Sequence, residues 1–367
     1  MDLQVLQVNL LRALIRAGRI VPSKPQLPII QHVLLTTEAG RLKITATNLE
    51  TTETLLVGAK VNKEGGICVP SRLICEYVSS LPQDTIVLSV VDGALQIQCA
   101  GYTATIPGVS ASEYPLIPQE ALKQPIQMEK SQVIKNLNRV VFSAATDEGR
   151  PVLTGVRIVE NGTEMVFAAT DGYRLSVKKQ AIESTQGLDL LVPSRAIAEV
   201  LKIAAEEKET ETILLSRQKD NQLLFAIGDI EIRTRLIDGE YPNYNRIIPQ
   251  KYNTRVQFDR ESLLRAVRSA SIFARDSANI IRLHIQEQQV VVSANTPQVG
   301  EDQIVVEAKV EGEGGEMAFN SKYLLDFLST IQEEVLLFEM TGSLNPGVFK
   351  LLNDETYLHI IMPVRIT

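Results

Sequence analysis

Apolar residues fall at helical spacing in three stretches of the chain, and each stretch is followed by segments that alternate with period two. Leu10, Leu11, Leu14 and Ile15 mark the first stretch and Leu263, Leu264 and Val267 the third. They predict amphipathic helices over Asn9 to Ala17, Ser131 to Ser143 and Arg260 to Ala274. Strand-like alternation follows, as in Leu42-Lys43-Ile44-Thr45 and Val290 to Ser293. A second helix is then predicted to open at Ser71, Ser194 and Ser321, a residue type suited to cap free N–H groups. In each copy a basic residue comes next and an acid four further on: Arg72/Glu76, Arg195/Glu199 and Lys322/Asp326. Paired strands close each set over Thr85 to Thr105, Thr212 to Leu236 and Glu334 to Val364, with turns at Asp92-Gly93, Asp220-Asn221 and Asn345-Pro346-Gly347.

Two short signatures repeat in step with this pattern. One is Ile44-Thr45-Ala46-Thr47, Phe167-Ala168-Ala169-Thr170 and Val292-Ser293-Ala294-Asn295. The other is Val69-Pro70-Ser71-Arg72, Val192-Pro193-Ser194-Arg195 and Phe319-Asn320-Ser321-Lys322. Their spacing of roughly 125 residues is too long for a solenoid and about the size of a domain. The predicted fold class is therefore α+β, with three copies of one domain, each carrying two helices on one side of an antiparallel sheet. Joints are expected where Pro and polar residues gather, at Pro115 to Pro125 and Pro249 to Thr254, giving domains 1–121, 122–250 and 251–367.

Composition narrows the chemistry. At 367 residues, 44% hydrophobic and 22% charged, the chain can bury a real core in two or three ordinary domains. No apolar run approaches the ~18 residues of a membrane span, and Met1 to Leu10 does not read as a secretory signal. The three cysteines (Cys68, Cys75, Cys99) all lie in the first copy, which argues against a disulfide framework and suits a reducing cytosol. With three scattered histidines (His32, His284, His359), no metal site and no cofactor are expected.

The net charge of −7 should repel polyanions, so the placement of the cations matters. Arg12, Arg16 and Arg19 share one face of the first helix with no acid near in sequence. Lys135 and Arg139 do the same in the second copy, and Arg260, Arg265 and Arg268 in the third stand against a single Glu261. One such helix alone would be an ordinary solvated face. Three equivalent ones favour a surface that meets phosphates. With no Trp and only 5% aromatics nothing is present to read bases, so such contact would be independent of sequence and sensitive to salt.

No catalytic motif emerges. Asp171 in Thr170-Asp171-Gly172 reads as a turn or capping carboxylate rather than a catalytic acid, because no His or second acid can be assigned beside it. Glu311-Gly312-Glu313-Gly314-Gly315-Glu316 reads as an exposed turn, since its acids would repel a phosphate.

Five further segments make the chain resemble the bacterial DNA polymerase sliding clamp family, the beta subunit of the replicative polymerase. They are Pro25-x-Leu27-Pro28-Ile29, Arg150-x-x-Leu153-x-Gly155, Ala169-Thr170-Asp171-Gly172-Tyr173-Arg174-Leu175, Tyr241-Pro242-x-Tyr244-x-Arg246-Ile247-Ile248-Pro249 and Ile361-Met362-Pro363-Val364-Arg365. The resemblance spans essentially the whole chain.

It implies a head-to-tail homodimer whose two chains of three domains close a ring around double-stranded DNA, with sheets outside and helices lining the hole. It implies a non-catalytic, cytoplasmic processivity factor, opened and loaded by a separate ATP-dependent protein. The DNA-facing residues would be Arg12, Arg16, Lys24, Lys135, Arg139, Arg195, Arg265, Arg268 and Lys322. Polymerase, clamp loader and repair proteins would dock short peptide motifs in a groove between the second and third domains.

Carried over by position, the groove comprises Arg150, Leu153, Thr170, Gly172, Tyr173, Arg174, Leu175, Pro242, Arg246 and Ile247. Asn320, Tyr323, Leu344, Ile361, Met362, Pro363, Val364 and Arg365 complete it. Apolar side chains would form its slot, and Arg150, Arg174, Arg246 and Arg365 its polar rim. The ring joint would use Ile272 and Phe273 against the strand near Tyr102 to Ile106, with Glu301 and Asp302 as candidates for charge pairs. The chain departs from the family at Pro151 and Val152, where aromatics are frequent, at Ala278, where a larger apolar residue often borders the groove, and at Tyr173, where His is common. Two rival readings are a scaffold that kept the groove but lost the ring, and an enzyme acting through Asp171.

Overall fold

A computed structural model describes residues 1–25, 27–115, 122, 125–182, 187–297 and 300–365. The boundary expected between residues 121 and 122 therefore falls partly outside the described residues. Six helices are present among those described: α1 (Gln7–Ile20), α2 (Ser71–Ser80), α3 (Lys130–Val141), α4 (Ser194–Glu206), α5 (Arg260–Ala274) and α6 (Ser321–Thr330). The helical spacing explains α1, which buries Leu10, Ala13, Leu14, Ala17 and Ile20 and turns Arg12 to solvent. Each fully buried Leu of this kind contributes roughly 1.5–3 kcal/mol.

The helix starts differ from expectation. Ser71 and Ser321 are the first helical residues and are buried, not caps. The cap of α6 is Asn320, whose side chain accepts from the Lys322 N–H at 2.9 Å. Asp259 caps α5 by accepting from the Ser262 N–H at 2.7 Å. The sequence-local ion pair forms in the first copy, Arg72 to Glu76 at 2.7 Å. In the other copies Arg195 reaches Glu148 at 3.2 Å, and Asp326 receives Arg174 at 2.6 Å.

The chain divides into two compact units. The first comprises Met1–Ser131 and Lys202–Leu236. It holds a five-stranded sheet in the order Ala59–Lys63, Asp2–Leu6, Thr85–Val91, Ala94–Cys99, Tyr102–Pro107. It also holds a nine-stranded sheet in which Thr51–Val57 of the first copy pairs with Ile230–Arg235 of the central one, Glu53 opposite Ile232. The hairpin at Asp92-Gly93 has φ of 49° and 76°, the doubly left-handed turn that Asp-Gly favours.

The second unit comprises Gln132–Leu201 and Ile237–Thr367 and holds one twelve-stranded sheet. Here Arg174–Ala181 of the central copy pairs with Asp354–Ile361 of the third, Ser176 opposite His359. The central copy thus gives strands to both units, and the two copy-to-copy joints use corresponding strands. The strand pairings are antiparallel, as expected of an α+β chain. The second unit's core is aromatic: Phe327 lies 5.1 Å from Phe349 and stacks on His359 at 4.7 Å, and Phe338 lies 4.8 Å from Phe349.

Candidate functional site

A mainly apolar recess of the second unit is built on the turn that joins Glu164–Thr170 to Arg174–Ala181. The Asp171 carboxylate shapes that turn. Its Oδ1 accepts from the N–H of Tyr173 at 2.9 Å and of Arg174 at 3.0 Å, and its Oδ2 accepts from Arg174 Nε at 3.0 Å. Thr170 Oγ1 donates to the Arg174 carbonyl and accepts from the Gly172 N–H, and Gly172 stands at φ 92°, which only glycine adopts without strain. Asp171 is therefore consumed as a turn carboxylate, in keeping with its sequence reading.

Around this turn a cavity of about 180 Å³ is lined by Arg150, Leu153, Thr170, Gly172, Tyr173, Arg174, Pro242, Asn243, Tyr244, Ile247, Ile360 and Met362. Its floor rests on a cluster that includes Leu175, Val177, Tyr241, Tyr244 and Ile360. Tyr173, Ile247 and Met362 are exposed at its mouth (62%, 42% and 36%), and Leu344 is exposed as well. The tail is fastened beside it, since the Met362 N–H donates to the Tyr173 carbonyl and the Val364 N–H to the Ala318 carbonyl, each at 2.8 Å. An apolar slot under an exposed arginine, Arg150, suits an extended peptide with apolar side chains and an acid or free carbonyl.

Nine of the residues carried over by position line this cavity, Arg174 among them, and the others do not. Leu175 and Ile361 are fully buried in the core and do not line the cavity. Arg174 is 9% exposed and committed: it bridges Asp171 and Asp326 while its guanidinium lies 4.7 Å from the Tyr323 ring and 5.6 Å from Phe142. It positions the turn and Tyr323, and is not a free rim cation. Asn320 is occupied as a helix cap, and Arg365 lines a different, polar recess with Arg282, His284 and Glu316. Arg246, Tyr323, Leu344, Pro363 and Val364 fall outside the cavity lining. The sequence reading missed Asn243, Tyr244 and Ile360. Period-two alternation could have found Ile360, because it faces the side opposite to Ile361.

The basic residues separate into two groups. Arg12, Lys24, Lys135, Arg195, Arg265, Arg268 and Lys322 are exposed. Arg16 and Arg139 are not: their side chains are 8% and 6% exposed and ion-paired. Arg16 Nε meets Glu206 Oε2 at 2.9 Å, and Arg19 reaches the other oxygen of the same carboxylate at 2.5 Å. Arg139 pairs with Glu333 and, at 2.7 Å, with Asp354, and lies over the Tyr357 ring. Both are corrected from surface cations to structural ones. Glu206 is held below the usual carboxylate range; burial alone would raise it, but bonds from Arg19 and Arg16 prevail. Asp354 is held low in the same way, against burial, by Lys178, Thr356 and Arg139.

Of the residues expected at the ring joint, Ile272 and Tyr102 are exposed (53% and 54%). Ile106 is buried in its own unit, and Phe273 is partly buried against its own core. Tyr102–Pro107 is the edge strand of its sheet. Among the described residues, Gly300 to Glu307 pair on one side only, with Gln289–Thr296. Cys68, Cys75 and Cys99 are free thiols, and burial raises the pKa of each. Among the described residues no group of three or more His, Cys, Asp or Glu could hold a metal, and no helix is long and apolar enough to cross a membrane.

Three family descriptions match in order along the chain: DNA polymerase III beta subunit, N-terminal domain over residues 1–118, central domain over 127–243 and C-terminal domain over 245–365. The sequence is 31% identical to the beta sliding clamp of Synechococcus elongatus over 374 aligned positions, covering 100% of both chains. The fold superposes on the DNA polymerase sliding clamp of Bacillus subtilis with a TM-score of 0.94 at 25% identity, and on the DNA polymerase III beta subunit of Thermotoga maritima with 0.91 at 26%, each over 100% of both chains. Three copies of one α+β domain, matched end to end and in order, place this chain in the bacterial DNA polymerase III beta subunit family, the beta sliding clamps.

Proposed function

We propose that the chain is a DNA sliding clamp that closes a head-to-tail dimeric ring around duplex DNA and tethers the replicative polymerase. The observation that carries this reading is the end-to-end match of all three repeats, in order, to the domains of the beta subunit. Domains 1–121, 122–250 and 251–367 would form half of the ring and a second chain the rest. Retention then comes from closure, so weak phosphate contacts by Arg12, Lys24, Lys135, Arg195, Arg265, Arg268 and Lys322 suffice. The protein itself catalyses nothing and binds no cofactor, acts in the cytoplasm, and depends on an ATP-driven loader to open.

Two open sheet edges support the ring. Tyr102–Pro107 is the third strand of the meander after the second helix of the first copy, as Ile230–Arg235 and Asp354–Ile361 are in the other two, which both pair with a neighbouring copy. The segment from Gly300 follows Ala294-Asn295 as Thr51–Val57 and Arg174–Ala181 follow the other two Ala-Thr signatures. Antiparallel pairing of these two edges between chains would make the same joint a third time. The cavity at Tyr173 and Met362 would take the short motifs of polymerase, loader and repair proteins.

Retention on DNA tests the proposal. Loaded protein should stay on nicked circles and be lost from linear molecules of the same length, with loss restored to the circles once they are cut. Equal loss from both would leave a non-ring scaffold as the better reading.

A further inference from the structure

The two buried arginines occupy the same place in successive copies. The N–H groups of Gln7, Lys130 and Arg260, each the first residue of its helix, donate to the carbonyls of Asp84, Glu211 and Glu334, which fixes the helix starts as equivalent. Arg16 stands nine residues after Gln7, and Arg139 nine after Lys130. Their acidic partners come from the same part of each copy: Glu206 stands twelve residues after Ser194, as the last residue of α4, and Glu333 twelve after Ser321, just beyond the end of α6. In both cases a first-helix arginine of one copy holds an acid at, or just beyond, the C-terminal end of the second helix of the next copy. Auxiliary contacts differ, with Arg19 added at Glu206, and Asp354, Lys178 and Tyr357 added around Arg139.

The third set lacks both partners. Nine residues after Arg260 stands Ser269, whose hydroxyl donates to Asp302 at 2.8 Å, and twelve after Ser71 stands the exposed Gln83. We propose that Arg16–Glu206 and Arg139–Glu333 are one ionic clasp used twice to fix the joints inside a chain, and that Ser269 and Gln83 leave the joint between chains without it. Arg16, Arg139, Glu206 and Glu333 are thus positioning residues. The second half of the inference rests on the proposed ring, whereas the first does not.

Two measurements separate the halves. In the full-length protein, Arg139→Met should speed amide exchange across the pairing of Arg174–Ala181 with Asp354–Ile361 by about tenfold, leaving Ile280–Gln286 unmoved, and Arg139→Lys should restore part of the protection. Unchanged exchange at that pairing, or equal acceleration throughout the unit, overturns the clasp whether or not a ring exists. For the joint between chains, Gln83→Glu with Ser269→Arg should tighten dimerisation about tenfold beyond the sum of the single variants at low salt, with the gain shrinking as salt rises. Asp302 attracts the new arginine in the single variant, so the coupling between the two substitutions is the decisive readout. A stable dimer without such coupling overturns the subunit-joint half. A wild-type protein that stays monomeric overturns the ring reading itself, and the exchange result then decides the clasp alone.

Discussion

At the scale of single residues, His359 shows how burial turns a polar group into a pH-dependent one. It has no exposed surface, stacks on Phe327 at 4.7 Å, and its Nδ1 lies 2.8 Å from the Ser176 hydroxyl, which in turn lies 2.7 Å from that of Ser143. Among the described residues Nε2 has no hydrogen-bond partner, and burial first, then the Arg174 charge, hold its pKa well below the usual value of 6.5 against a smaller opposing effect of the Leu175 backbone. The unfolded chain therefore binds a proton near pH 6.5 that the fold refuses. The stability this gives is present above that pH and lost as pH falls below it. Between pH 7.5 and 5.5 the loss should be about 1.4 kcal/mol for one such group. Urea unfolding at the two values should show this difference in the wild type and not in His359→Gln, whatever the variant's absolute stability; parallel pH slopes would contradict the assignment. Asp354 and Glu206, whose folded pKa values are lowered, lose their contributions only as pH falls below about 4, so the two windows are separate.

At the scale of elements, the last strand, Asp354–Ile361, and the segment after it border the apolar cavity. Met362 is tied by its N–H to the Tyr173 carbonyl and supplies a pliable side chain at the mouth of the cavity. Removing residues 362–367 should weaken a labelled polymerase-derived peptide by at least about 30-fold in fluorescence anisotropy, near the 2 kcal/mol typical of an anchor residue, while the dimer persists. Unchanged affinity would move the peptide site elsewhere. The elements themselves were legible in the sequence because helical and strand periodicities are local: Leu10, Leu14 and Ala17 predict α1, and Asp92-Gly93 its hairpin. The functional reading of those elements was less legible, because it depends on distant partners. Arg16 and Arg139 read as surface cations since their acids lie 190 and 194 residues away in sequence. Resemblance by position brought in both Ile360's neighbour Ile361 and the committed Arg174, because it locates a motif without saying which way each side chain of a strand faces. The caps were misread for a related reason: Asn320 and Ser321 are both competent acceptors, and only the backbone geometry at the start of α6 decides between them.

At the scale of the whole molecule, two sheet edges and one exposed isoleucine bear on the same joint. Tyr102–Pro107 ends one sheet, and the segment Gly300 to Glu307 is paired on one side among the described residues. An exposed edge normally invites uncontrolled association, and pairing it with a fixed partner removes that hazard. Ile272, 53% exposed near the end of α5, and Tyr102, 54% exposed on the edge strand, supply the apolar surface that such a joint would bury. The cavity at Tyr173 and Met362, by contrast, is formed wholly by residues of the second unit. Dimerisation and peptide binding should therefore separate. Ile272→Arg should place an uncompensated charge in both joints of the ring at a cost of about 2–3 kcal/mol per interface, or about 4–6 kcal/mol per dimer, and weaken dimerisation roughly a thousandfold or more, lowering the solution mass towards that of one chain at micromolar concentration. Because one open joint is enough to release a ring, the variant should be lost from nicked circular DNA as fast as from linear DNA. Its affinity for the peptide should stay within about twofold of the wild type. A variant that remains dimeric and retained would show that the joint lies away from Ile272. One that loses peptide binding together with the dimer would show that the cavity needs the second chain.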